Sequence, residues 1–290
     1  MKENRLFIFI SFIIFTISAT AQIKGVVKDS ITKLPIAYAA LVYEKTPIGT
    51  NTNEKAEFEL SKNDANVIIS CLGYTSKSLK LSNINEVLLS PKAQEIAEVV
   101  VRNRKNTSQI VVGEYHDSEI SFSNGGASQI WAKQINYPEE IKKHPFIKSI
   151  QFTTKSDVKA AKLKLRFLAT NSTGKPSDDI VFDEIIVTVK KGTHKNKVNL
   201  ENYKITIPKE GIFIGFENLI IEENKYEYTY TNEGSNKKIK GVSYEPAIKG
   251  FEAKEYNVWS INNRRSMLFN VKHKKDSKPV ELGVKLTLTN

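Results

Sequence analysis

Apolar and polar residues alternate at a period of two along most of this chain, the mark of strands with one buried face. Ile23, Val26 and Val27 form a first short strand broken by Gly25, and a turn cluster over 29–35 closes at Pro35. Residues 37–43 make a second strand. Pro47, Gly49 and the Asn-rich NTNEK form a loop, after which Phe58 and Leu60 alternate with Glu57 and Glu59. The β-branched run 67–71 predicts a central strand, Gly73 and Tyr74 a turn, and Leu79 and Leu81, beside Lys77 and Lys80, another strand. A last strand, 87–89, precedes Pro91. Short strands at this spacing predict a small β-sandwich.

Residues 102–109, RNRKNTSQ, are polar, basic and without periodicity, and predict a linker. From Ile110 the strand pattern resumes. Ile150 and Phe152 alternate with Gln151 and Thr153, and Leu163, Leu165 and Phe167 with Lys162, Lys164 and Arg166. Ile185, Val187 and Val189 follow, then Val198 and Leu200, then Ile205 and Ile207. The stretch 211–221, GIFIGFENLII, is the most apolar of this half and belongs in its core, whereas PEEIKK over 138–143 predicts one short helix. Tyr226, Tyr228 and Tyr230 alternate with Glu227 and Thr229, and Leu282, Val284, Leu286 and Leu288 end the set. The fold class expected is all-β: a small sandwich over 22–101, then a larger antiparallel, jelly-roll-like sandwich over 110–290. A membrane barrel is disfavoured, because its lipid face needs an unbroken apolar band with aromatic girdles.

The first 21 residues change the picture. Lys2 and Arg5 precede the apolar LFIFISFIIFTIS, and Ala19-Thr20-Ala21 offers a small-x-small cleavage site, so 1–21 reads as a signal peptide and the mature chain begins at Gln22. The apolar run is too short for a comfortable bilayer span. No cysteine follows the cleavage site to carry a lipid anchor. The expected location is the periplasm or the outer-membrane surface. Of the net charge of +11, Lys2 and Arg5 against Glu3 contribute +1, leaving +10 on the mature chain. Its densest clusters, KKGTHKNK (190–197) and KHKK (272–275), are expected in solvated turns, and export argues against a nucleic-acid partner. Cys71 is the single cysteine and lies in an apolar stretch, where a free thiol packs as a small hydrophobe.

Within the first third, a set of residues falls in an informative order. Gly25-Val26-Val27 and Asp29 are followed by Pro35 with Ala39 and Val42, the turn from Asn53 to Phe58, Gly73-Tyr74, Leu89-x-Pro91 and Glu98-Val99-Val100-Val101. This order resembles the carboxypeptidase regulatory-like domain over residues 22–101. The resemblance implies a transthyretin-like sandwich and a stability or interaction module, not peptidase activity. In bacterial surface proteins such modules commonly precede something else, including the plug of TonB-dependent transporters. The sequence departs from the family at one turn, where Asn53 replaces the usual Asp and Ala56 the usual Gly, and an Ala at positive φ is strained.

Candidate chemistry is sparse. His116-Asp117-Ser118-Glu119 has the His-x-x-Glu spacing of zinc carboxypeptidases, but zinc needs a third protein ligand and a general base on an α/β scaffold, and this region is β-rich. His144, His194 and His273 supply no motif with it. Asp178-Asp179 could offer oxygens to calcium, which wants six or more, so a solvated loop is the better reading. No phosphate-binding glycine loop or nucleophile elbow occurs, and no cofactor or metal is expected. Tyr226, Tyr228 and Tyr230 point to one side of a strand. The favoured reading is core or cross-strand pairing; if the face is exposed, it becomes an aromatic platform for a flat ligand such as a sugar ring. Trp131 and Trp259 present the same choice. The function expected is a non-enzymatic exported envelope protein whose larger sandwich binds a protein or glycan partner. The alternative is a metal-dependent hydrolase built on the His116 region, and a third reading is a purely structural envelope component with no small ligand.

Overall fold

The computed structural model describes residues 22–61, 65–81, 86–92, 104–232, 234, 237–262, 265–269 and 278–290. The leader, the run 98–101 and His273 lie outside the described residues. No helix among the described residues is long and apolar enough to cross a membrane.

The chain is all-β. Its N-terminal part contains β1 (Gln22–Asp29), β2 (Ala40–Tyr43), β3 (Gly49–Asn51), β4 (Glu57–Ser61), β5 (Asn66–Ser70), β6 (Lys77–Lys80) and β7 (Glu86–Leu89). Among the described residues these form two sheets, β4-β1-β7 and β3-β2-β5-β6. Ile23, Val27, Phe58, Leu60, Val87 and Leu89 from the first sheet meet Leu41, Tyr43, Val67 and Ile69 from the second in one core. The β1–β7 pair is parallel and the others are antiparallel.

Two residues of the family pattern meet across this unit. Asp29 Oδ1 accepts the amides of Ile31 and Thr32, closing the turn, while Tyr74 Oη donates to Asp29 Oδ2 at 3.1 Å. The Thr32 amide is the main cause holding the Asp29 carboxyl below its ordinary value. Burial first and the Asp29 bond second push the Tyr74 phenol up to about 12. At the departing turn, Ala56 keeps the positive φ of 64°. Asn53 holds the loop in place of Asp, its Oδ1 accepting the amides of Lys55 and Glu57, both at 2.9 Å.

The C-terminal part runs through β8 (Gln109–Glu114), β9 (Ser121–Phe122), β10 (Ile130–Ile135), α1 (Glu139–Lys142), β11 (Phe146–Ser156), β12 (Ala161–Thr170), β13 (Pro176–Asp179), β14 (Ile185–Val189) and β15 (Gly192–Asn199). It continues with β16 (Ile212–Asn218), β17 (Lys225–Thr231), β18 (Lys238–Tyr244), β19 (Ala247–Glu252), β20 (Trp259–Asn262), β21 (Arg265–Leu268), β22 (Val280–Leu282) and β23 (Val284–Thr289). One sheet has the order β13-β12-β16-β10-β20-β21, with β14 also on β12. The other runs β22-β19-β11-β23-β8, with β15 on β11 and β9 on β19. Leu163, Leu165, Phe167, Ile214 and Phe216 of the first sheet pack on Ile150, Phe152, Leu286 and Leu288 of the second, and the Phe152 and Phe216 rings meet edge to face at 4.9 Å. This is a sandwich core. Every residue of β16 is buried, as its apolar run predicts.

Two sequence expectations change here. The basic stretch 190–197 is not a turn alone, since Gly192–Asn199 is a strand paired along β11 from Ser149 to Ser156. Residues 104–108 of the expected linker are tied to the chain end: Lys105 and Asn106 amides donate to the Asn290 carbonyl, and Thr107 and Ser108 amides to Asn290 Oδ1.

The two sandwiches touch. Asn51 at the end of β3 exchanges bonds with Ile220: its amide donates to the Ile220 carbonyl at 2.9 Å and its Oδ1 accepts the Ile220 amide at 2.8 Å. Tyr38, with φ 53°, packs with Leu219 and Ile221. Replacing Asn51 with Ala strands the buried Ile220 amide, a loss of about 1–3 kcal/mol. Thermal unfolding of N51A should therefore show a clearly lowered midpoint, and an unchanged one would remove this bond from the contact.

Candidate functional site

β17 and β18 form a two-stranded sheet of their own, a ribbon paired to neither sheet of the sandwich. Their register places Tyr226 opposite Ser243, Tyr228 opposite Gly241 and Tyr230 opposite Ile239. Residues directly opposite in an antiparallel pair share a face, so one side of the ribbon carries the three rings with Ser243, Gly241 and Ile239. The other side carries Lys225, Glu227, Thr229, Thr231, Lys238, Lys240, Val242 and Tyr244. Neighbouring ring centroids are 6.0 Å apart at both steps, with planes 21° and 37° from parallel.

This ladder is not core. Tyr228 and Tyr230 are 40% and 44% exposed, which corrects the burial reading of the sequence. A strand pattern shows that three aromatics share a side, but not whether a second sheet covers that side. The cross-strand half of the expectation fits: a Cβ added at Gly241 would lie 2.5 Å from Tyr228 Cζ, so the ring leans across β18 into the space the missing side chain leaves.

The base of the ribbon is anchored by Asn224, the residue before β17. Its Nδ2 donates to the carbonyls of Lys162 and Leu219 at 2.7 and 2.9 Å, and its Oδ1 accepts the Lys162 amide at 2.8 Å. On the other strand, the Tyr244 amide donates to the Asn124 carbonyl and the Glu245 amide to the Asn224 carbonyl. Lys225 pairs with Glu227 at 2.8 Å, and that bond is the main cause of the lowered Glu227 and raised Lys225 pKa values.

A second concentration of polar chemistry lies between the sandwiches. Lys162, Lys164 and Arg166 stand on the side of β12 away from its core, facing the N-terminal unit. Lys164 Nζ donates to Glu184 at 2.7 Å and to the Tyr38 carbonyl at 3.3 Å. Arg166 Nη1 reaches Glu217 at 2.6 Å, while its Nε and Nη2 grip Asp179. Lys162 Nζ bonds Glu54 at 3.0 Å and sits over the Tyr38 ring. Burial opposes charge on Lys164 and Arg166, but Glu217 foremost, with Glu184 and Asp179, outweighs it and raises both pKa values. Burial likewise works against the Glu217 carboxylate, and Arg166 and Lys164 overcome it and lower the pKa. Across a cavity of about 300 Å³, Ala40, Val42, Ile68 and Ser70 of the N-terminal unit face this row. The charges of Lys164, Arg166, Glu184, Glu217 and Asp179 are matched to one another, as a seam between docked units requires. Cys71 Sγ lies 3.5 Å from Glu184, and burial, the leading cause, pushes its thiol up to about 12.

The remaining sequence candidates do not converge. His116 Nε2 bonds Glu114 at 3.1 Å and its ring meets Phe251 edge-on, an arrangement that does not use Glu119. His144 bonds Ser108 and the Glu140 carbonyl, and His194 the Lys191 carbonyl. Among the described residues no group of His, Cys, Asp and Glu has metal-binding geometry. Asp179 is held by Arg166, so Asp178 and Asp179 do not act as a pair. Trp131 is buried against Phe122 and Phe269, and Trp259 packs edge-on to Phe213.

Residues 23–101 match the model of the CarboxypepD_reg-like domain family, which places that domain in the N-terminal third. No curated protein matches the chain. Among solved structures, the cysteine protease and lectin-like domains of Cwp84, a surface-layer-associated protein of Clostridium difficile, are 12% identical at a TM-score of 0.40 over 83% of this chain. The chain spans 45% of that structure. The VP2 subviral particle of infectious bursal disease virus is 8% identical at a TM-score of 0.21, over 93% of this chain and 64% of that one. Likenesses this distant carry no argument about a ligand.

The seam generates a prediction. Glu217→Gln removes the carboxylate shared by two buried cations and should cost about 3–5 kcal/mol. Because the folded Glu217 pKa is lowered, its contribution is present above the ordinary glutamate range and is lost as pH falls through the folded value. Alkylation of Cys71 reports the same contact: slow in the native chain at neutral pH, and faster in E217Q or in wild type at acid pH after correction for intrinsic thiol reactivity. Equal corrected rates in all three would contradict the assignment.

Proposed function

We propose that this chain is a non-catalytic exported protein of the cell envelope, located in the periplasm or at the outer-membrane surface. In it a carboxypeptidase regulatory-like sandwich is coupled to a larger β-sandwich that binds a protein or glycan partner. The row Tyr226, Tyr228 and Tyr230, half-buried at Tyr226 and exposed at the other two, is the single observation that carries the binding reading. Tyrosine combines a large apolar ring with a polar tip and orders at low entropic cost, which suits it to contact surfaces. The leader over 1–21 supports export, and the regulatory-like domain supports an interaction role in place of chemistry.

The anchored base of the ribbon supports the same reading, because a site works best when its side chains stand on a fixed frame. The hydrolase alternative gains nothing from the geometry of His116, whose partner is Glu114.

Two measurements test the proposal. N-terminal sequencing of the protein recovered from envelope fractions should begin at Gln22; recovery from the cytosol with Met1 intact would contradict export. Purified chain should bind isolated envelopes, and the double variant Y228S/Y230S should bind about tenfold or more weakly while retaining its melting temperature within a few degrees. Undiminished envelope binding by the variant would remove the tyrosine face from the function.

A further inference from the structure

The charge distribution on the ribbon narrows the ligand class. Every charged residue of β17 and β18 falls on one side by register: Lys225, Glu227, Lys238 and Lys240. The ring side presents aromatic rings, phenol hydroxyls, the Ile239 side chain and the bare backbone at Gly241, and at its base the Ser243 hydroxyl donates to the buried Glu245 carboxylate at 3.0 Å, so the charge there is an anion. A polyanion or a charged peptide would find its counter-charges on the wrong side. A neutral ligand loses nothing there.

The row is also periodic. Two successive steps of 6.0 Å between centroids repeat the contact along the strand, and a repeated contact suits a repeated ligand. An extended chain of neutral sugar rings offers, at each unit, an apolar C–H face to lay on a ring and hydroxyls to meet the phenol oxygens. The lean of Tyr228 over Gly241 keeps the middle ring low against β18, so that a chain can pass along the row without a side chain in its path.

Resting on the proposal that the tyrosine face binds a partner, we infer that its ligand is a neutral, unbranched polysaccharide chain lying along β17. Gly241 acts as a positioning residue, holding the Tyr228 ring in register with its neighbours.

The test uses the exported chain with a panel of soluble neutral glucans, mannans and xylans beside acidic alginate, polygalacturonate and heparin, read by affinity electrophoresis and calorimetry. At least one neutral polymer should bind with an affinity that changes little between low and high salt. Y228S and Y230S should each weaken it several-fold. G241A, which leaves all three tyrosines in the chain, should weaken it as well, because its Cβ would displace the Tyr228 ring. Y228F should retain most of the affinity, which separates stacking from hydroxyl bonding. Near-ultraviolet circular dichroism of each variant checks that the ribbon is intact.

Binding confined to the acidic polymers and abolished by salt would overturn the inference, as would neutral binding indifferent to Y228S and G241A. If no polysaccharide binds while envelope binding still depends on the tyrosines, the partner is a protein: this inference fails and the broader proposal stands. If no binding of any kind depends on them, both fail.

Discussion

The burial of Lys164, with Lys162 and Arg166 half-buried beside it on the same strand, is the constraint on which the arrangement of the two sandwiches depends. Lys162, Lys164 and Arg166 alternate with the core residues of β12, and the Lys164 side chain retains only 2% of its exposure. A charge so deep is tolerated only with carboxylates and carbonyls in place around it. Glu217 comes from β16, Asp179 from β13, Glu184 from the approach to β14, and the Tyr38 carbonyl from the N-terminal unit. Tyr38 turns that carbonyl toward Lys164 from a left-handed backbone conformation, a strained geometry that surrounding contacts must over-determine. Its ring is held by Lys162, Leu219 and Ile221.

The same seam sets the base of the tyrosine ribbon. A hairpin of two strands is marginal on its own in water, and the segment leading into β17 carries Ile220, which bonds Asn51, and Asn224, which bonds Lys162. The docked N-terminal unit and the tyrosine row are thus joined through one short stretch of chain. The regulatory-like domain placed there bonds, through Asn51, the stretch of chain that leads into the ribbon.

Much of this was legible in the sequence, and the misses share a cause. Period-two patterns placed the strands of both sandwiches, the apolar run of β16 marked the core, and the charged helix at Pro138 appeared where its composition predicts. Alternation states only that two faces of a strand differ. On β12 the alternation leaves open what the polar face meets, and the N-terminal unit lies over it. On β17 the aromatic face reads as core, yet nothing among the described residues encloses it. Both points concern what covers a face, which is a tertiary fact. Likewise Asn53 and Ala56 mark a departure from the family, but only the structure shows Asn53 Oδ1 capping the turn and Ala56 keeping its positive φ.

Charges buried on β12 that lock the two sandwiches together make them one mechanical body, and differential scanning calorimetry tests that directly. At neutral pH the chain should unfold in one cooperative transition, with calorimetric and van't Hoff enthalpies in agreement, and E217Q should split it into two. Two well-separated transitions in the wild-type chain, with their midpoints unmoved by E217Q, would contradict it.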